Sequence, residues 1–436
     1  MAFARLASQT RLVAVANLRY LAPGLFLFIL PFPGTVAFRL ITLAIAAITA
    51  GLMWHRVAPP RIPLKLPIAL WIAVSVMSLT WALDPQYSLG EIKNEIGYTM
   101  VAFLTFYTLT EGEQSWRFWK WAFLIGACLV TSFAAFYFVQ GRTDLLFGVG
   151  VIGWHGGPGS STTYYILLCP LLFIALEQSL EKHSFRIVPW LLLILIAIGG
   201  YVSFNRVFWI ALAISAITFV GLRLFRRSSH GKALKLTAIF SLVALGLSAA
   251  LLIMVMRSRF LTDRSMDAML EFLSHDPRIA LWEFTLRQIW THPFIGTGFG
   301  LGSARALLDA QHFENPQLWH AHNVFLSYGL QMGVPGMLAL LFVFVAIARE
   351  FISLYRSSDQ TCSKLGAAGL AILAGIIVKS MTDDHWGRNN SLLFWALTGM
   401  ILGYGRRLLV IERSDQRIKQ VLPANTQSIQ VDGRIG

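Results

Sequence analysis

The segment LWHAHNVFLSYGLQMGVPG, residues 318–336, sets two imidazoles and an amide, His320, His322 and Asn323, at the mouth of an apolar run. A neutral imidazole can take a proton from an attacking hydroxyl near the pH at which it naturally titrates. His322 is therefore a candidate general base, with Asn323 placed to orient a substrate hydroxyl or the start of a helix. Two other readings stand beside this one. The histidines can be interfacial residues that satisfy polar neighbours, or they can be zinc ligands. The zinc reading needs an extended backbone, because residues two apart on a helix diverge by about 200°. It also needs further ligands from Asp383, Asp384 or His385, and the spacing is not a recognised zinc pattern.

The second group of candidates is basic. Arg206 stands alone in GGYVSFNRVFWIALAIS, between two apolar runs so close together that its guanidinium must lie near a membrane surface. There it either snorkels to lipid phosphate or offers a planar fork of donors to a phosphate or diphosphate. Arg278 and Arg287 of DPRIALWEFTLRQIWTHP fall on nearly opposite faces of one helix, so only one points at a common site. Arg278 shares a face with Trp282 and lies in the first turn, where free N–H groups also favour an anion. Arg287 reads equally well as a surface arginine. Lys379, at the end of a later apolar run, joins the set. If arginines hold a diphosphate leaving group, base and leaving-group stabiliser share one cavity and neither a metal nor another cofactor is needed. The glycines of GTGFGLG do not make a nucleotide loop, because no Lys-Ser/Thr follows them.

The elements that position these residues are membrane spans. Of 436 residues, 56% are hydrophobic and 13% charged, against ~25% charged in a soluble domain. Apolar runs near the ~20 residues that cross a bilayer recur along the chain. Their ends predict twelve helices, at 20–35, 37–54, 65–83, 96–110, 119–139, 163–178, 187–204, 207–223, 234–256, 323–349, 364–381 and 390–405. The first pair, compressed around PFPGT, reads equally as a hairpin that does not fully span. An even count puts both ends of the chain on one side. The loops on that side hold 24 of the 36 Lys and Arg and 9 of the 22 Asp and Glu, so the positive-inside rule makes it the cytoplasmic side. The net charge of +14 thus reflects membrane topology and not a nucleic-acid partner. The basic start MAFARLASQTRLVAVANLR lacks the compact apolar core of a signal peptide and reads as a cytoplasmic segment.

This organisation divides the chain into helices 1–9 over residues 1–256, an outer loop or lid over 257–321, helices 10–12 over 322–405, and a cytoplasmic tail over 406–436. Within the lid, DRSMDAMLEFLS and DPRIALWEFTLRQIWTHP predict two short helices, each with an aspartate at its start. On the same outer face fall Glu91, Glu95, His155, Arg206, Arg278, Arg287, His320, His322, Lys379, Asp383, Asp384, His385 and Arg388. Ionisable residues at a membrane boundary are functional candidates by default. Their gathering at one surface argues against a transporter of a lipid-linked anion, which would place polar residues at mid-membrane on paired broken helices. Cys128, Cys169 and Cys362 support no disulfide.

The run HNVFLSYGLQMGVPG resembles the signature of bacterial O-antigen ligases, within the wider O-antigen ligase and polymerase superfamily. RIALWEFTLRQIWTHPFIGTGFG and FNRVFWIAL are similar to that superfamily's arginine-bearing patterns. The resemblance covers roughly residues 200–340. It implies an all-α, GT-C-like polytopic protein of the bacterial inner membrane, with its active site facing the periplasm. It implies an inverting, metal-independent glycosyltransferase. The donor would be an undecaprenyl diphosphate-linked glycan, the acceptor the lipid A–core oligosaccharide of lipopolysaccharide, and the surroundings membrane lipid. His322 would be the base and Arg206 and Arg278 the diphosphate ligands. His320 lies outside the core pattern. Gln331 stands where many polymerase-like members have Glu, which favours a ligase over a polymerase that joins lipid-linked repeats.

Overall fold

The computed structural model describes residues 19–57, 59–141, 157–181, 187–203, 205–227, 230–259, 276–311, 313, 318–382, 386–387 and 389–421. Among them all regular structure is helical. The chain runs through α1 (Arg19–Ile29), α2 (Val36–Val57), α3 (Lys65–Met77), α4 (Pro85–Glu91), α5 (Tyr98–Leu109), α6 (Glu113–Val139), α7 (Gly157–Glu181), α8 (Ile187–Val202), α9 (Val207–Arg227) and α10 (His230–Arg259). It continues through α11 (Arg278–Thr291), α12 (Arg305–Asp309), α13 (Val324–Tyr355), α14 (Gln360–Ser380) and α15 (Asn389–Val421). Among the described residues, seven helices are long and apolar enough to cross a membrane, and α1, α3, α8 and part of α10 are shorter apolar helices. The protein is a polytopic membrane protein.

Each of the twelve predicted spans falls on a helix, with informative differences at the ends. α1 stops at Ile29, and the PFPGT turn closes through Gly34 in the left-handed region (φ 69°). α13 and α15 run on to Tyr355 and Val421, so the tail expected after residue 405 begins as helix. Polar residues there end the apolar pattern without ending the backbone hydrogen bonding. The lid helix predicted within DRSMDAMLEFLS, and His155, Asp383, Asp384, His385 and Arg388, lie outside the described residues.

Two packing devices hold the bundle. The first brings α15 against α5 through Gly399 and Gly403, one turn apart. A Cβ added at Gly399 would lie 2.4 Å from the Phe103 carbonyl oxygen, and one at Gly403 would lie 2.5 Å from that of Tyr107. Apolar side chains gain little by leaving lipid for protein, so close backbone approach and dispersion drive such contacts in a bilayer. Arg407 completes the joint. Its guanidinium donates to the carbonyls of Tyr107 (3.1 Å), Thr108 (2.8 Å) and Thr110 (3.1 Å), the acceptors that the end of α5 leaves unsatisfied.

The second device is a break in α13. Pro335 has no N–H to give to Gln331 O, and Gly333 (φ 69°, ψ −168°) turns the chain so that Val334 N–H donates to Pro293 O instead (2.8 Å). The carbonyls of Leu330 and Gln331 are thereby released, and they accept from Thr297 (3.0 Å) and Gly298 (2.9 Å). The Gln331 side chain adds a bond from Gly300 N–H (2.9 Å). The loop after α11 is thus stitched to the kink by backbone bonds on both strands of chain.

Gly399→Val is expected to lower the thermal midpoint in detergent by forcing α15 off α5, at a cost of about 1–3 kcal/mol. The conformation of Gly333 is one that L-residues essentially do not adopt, so Gly333→Ala is expected to cost a similar ~1–3 kcal/mol in the same melting assay. An unchanged midpoint in either variant would contradict the corresponding joint.

Candidate functional site

The site assembles around the first turn of α11. Asp276 sits just ahead of it, and its carboxylate works in two directions: one oxygen accepts the Arg278 N–H (3.0 Å) and the other accepts from the Arg206 guanidinium (3.2 Å). The first bond is the helix-start role that its position predicts. The second draws Arg206, from the turn ahead of α9, toward the protein and away from the lipid surface. Burial holds the Arg206 guanidinium below the usual arginine range, Asp276 offsets that, and the neighbouring Arg278 adds to it. Two guanidiniums close enough to perturb each other, with one carboxylate between them, leave an excess of positive charge that an anion would balance.

Both arginines line one cavity of about 320 Å³, whose other walls include Val207, Ile210, Leu252, Ile279, Trp282 and Thr382. Arg278 and Trp282 share a face of α11, as their spacing predicts, and both reach past the cavity to fixed partners. Arg278 donates to Thr382 O (3.0 Å) and Trp282 Nε1 donates to Ala321 O (2.8 Å). The tryptophan bond ties the cavity wall to the peptide segment that carries the histidines.

In that segment Asn323 is the N-cap of α13. Its Oδ1 accepts from the N–H groups of Phe325 (3.0 Å) and Leu326 (3.1 Å), while its Nδ2 donates to Met381 O (3.0 Å). Asn323 is therefore a positioning residue that joins the start of α13 to the end of α14. The histidines differ from the helical expectation. Their rings do not diverge but lie with centroids 3.8 Å apart and planes 35° from parallel. The reason is that they precede the helix, and His322 takes a left-handed backbone conformation (φ 48°) that folds its N–H onto His320 Nδ1 (3.2 Å). A non-glycine residue held at positive φ stores strain, which folds tolerate mainly at functional positions. His320 is buried against Trp319, and His322 is half-buried.

The remaining candidates fall in different places. Arg287 is exposed and pairs with Glu283 one turn away, on the face of α11 opposite Arg278, so it does not line the cavity. Lys379 is fully buried in the last turn of α14, and its carbonyl accepts from Thr382 N–H. Glu91 and Glu95 are buried around a π-helical turn (Ile92–Gly97), and Glu91 packs against Gly300 of the loop stitched to α13. Among the described residues no group of three or more His, Cys, Asp or Glu is arranged to hold a metal ion.

Two participants escape a reading by residue type. Asp276 was legible as a helix start but not as the partner of Arg206, 70 residues away. The carbonyls of Met381 and Thr382 carry no side-chain signal at all. Only their place, just beyond the end of α14, marks them as acceptors in search of donors.

Residues 191–341 match the family model described as O-antigen ligase. The match spans α8 through the kink of α13, and so contains Arg206, Asp276, Arg278 and His322. No curated protein matches the chain. Over this segment, about a third of the chain, the protein is similar to the O-antigen ligase family.

Proposed function

We propose that the protein is an O-antigen ligase of the bacterial inner membrane. It transfers O-antigen polysaccharide from undecaprenyl diphosphate to a sugar of the lipid A–core oligosaccharide, at a site facing the periplasm. The observation that carries this reading is the convergence of Arg206 and Arg278 on one cavity, with Trp282 bridging the cavity wall to the histidine segment. The arginines hold the donor's diphosphate. The acceptor hydroxyl attacks the anomeric carbon from the face opposite the diphosphate while His322 takes its proton. The carbon–oxygen bond to the diphosphate breaks, and the electron pair leaves with the phosphate oxygen. Configuration inverts, and the guanidiniums offset the departing charge without a metal.

Several features support this division of labour. Paired guanidiniums suit a diphosphate better than point charges do. The backbone conformation of His322 is fixed by Asn323 on one side and by the His320 contact on the other, so the imidazole is presented from a held position. The periplasmic lid comprises residues 257–321, with α11 and the short α12 among its described helices. Arg287, His320 and Lys379 are assigned supporting parts at most: Arg287 at the lid surface, His320 beside the base and Lys379 buried at the end of α14.

With purified lipid-linked glycan and rough lipopolysaccharide, His322→Ala is expected to bind donor normally and to lose transfer by roughly 10²–10⁴-fold. Arg206→Ala and Arg278→Ala should each weaken donor binding by about 1.5–3 kcal/mol, whereas Arg287→Ala should change neither quantity. Normal transfer by the His322 variant would overturn the assignment of the base. Offered core–lipid A and a second lipid-linked repeat in parallel, the protein is expected to glycosylate the core alone. Extension of the lipid-linked repeat would make it a polymerase instead.

A further inference from the structure

A second cavity lies at the other end of the molecule. It measures about 620 Å³ and is lined by Arg349, Ile352, Ser353, Arg356, Ser357, Leu409, Glu412, Arg413 and Gln416, from α13 and α15. Asn323 and Arg356 bracket the 32 residues of α13, about 48 Å of helix at 1.5 Å per residue, which exceeds the ~30 Å hydrocarbon core. Arg349 is the first charge after the uncharged run 324–348. The cavity therefore sits at the headgroup level of the leaflet opposite the arginine–histidine site.

Its arginines stand apart from their neighbours. Arg226 donates to the carbonyls of Tyr355 and Ser357, Arg406 pairs with Glu350, and Arg223 pairs with Glu177. The side chains of Arg349, Arg356 and Arg413 make no hydrogen bond or ion pair among the described residues. The cavity's one carboxylate, Glu412, is held by the hydroxyls of Ser357 and Ser358 and by Ser358 N–H, so its charge is already engaged. Arg349 and Arg356, two turns apart, share a face of α13, with Ser353 between them. Beside this basic rim, Ile352 and Leu409 line the interior, and Val410 of α15 is left more than half exposed.

We propose that this cavity binds an anionic phospholipid of the facing leaflet. Arg349, Arg356 and Arg413 hold the headgroup phosphate, and the acyl chains lie along Ile352, Leu409 and the exposed Val410 next to it. A soluble phosphate compound would use the arginines but leave the apolar wall unexplained.

The test uses the full chain, purified in detergent, and native mass spectrometry with phosphatidylglycerol or phosphatidylcholine added. Phosphatidylglycerol should be retained preferentially. The triple variant Arg349→Gln, Arg356→Gln, Arg413→Gln should bind it on the order of 100-fold more weakly, with an unchanged thermal midpoint. Inorganic phosphate at millimolar concentration should not displace the lipid. Equal retention of the two lipids by the unaltered chain, undiminished retention by the variant, or displacement by phosphate would each overturn the proposal. The first and last of these readouts need no variant, so a triple variant that fails to fold leaves them decisive.

Discussion

The carbonyls that α13 gives up at its break organise the half of the protein that carries the arginine–histidine site. A helix interior normally consumes its own acceptors, and a membrane interior offers no water to replace them. By setting Gly333 and Pro335 two residues apart, the chain releases the carbonyls of Leu330 and Gln331 at one level, where the loop after α11 supplies Thr297 and Gly298 as donors. The cost of a broken helix is offset bond for bond, and the gain is a fixed attachment for α11. Since α11 begins with Asp276 and Arg278, the attachment also determines where the paired arginines stand.

A second set of orphan carbonyls does the complementary work. Past the end of α14, Met381 O takes the amide of Asn323 and Thr382 O takes the guanidinium of Arg278. The negative end of one helix dipole thus gathers the start of α13 and the start of α11. Asn323 and Arg278 come from segments far apart in the chain, yet their anchors are consecutive residues. Such an arrangement needs few side chains dedicated to scaffolding, because backbone groups provide most of the reference points.

Much of this could be read from residue types. Apolar run length located the helices. Arg206 and Arg278 stood out because an ionised group beside a bilayer needs a reason to be there. The parts that escaped share a physical character. The stacking of His320 on His322 depends on one positive φ angle, which no spacing rule encodes. The carbonyls that bind Asn323 and Arg278 belong to every residue type alike. The continuation of α15 to Val421 was hidden because apolar periodicity reports burial in lipid and not helicity as such. The π-helical turn between Glu91 and Tyr98 likewise has no composition of its own.

The division of α13 also sets what the surrounding bilayer can change. The arm beyond Gly333 packs on α14 through Phe351 and Tyr355 and traverses the lipid, so it must tilt when the hydrocarbon layer thickens or thins. The short arm that begins at Asn323 is latched instead to the loop at 293–300. Gly333 acts as a fulcrum between two frames of reference, one set by the membrane and one by the protein's own outer cap. Rotation of the long arm is absorbed at the fulcrum, and the short arm with the Asn323 that begins it stays in register with the loop at 293–300 in membranes of different thickness.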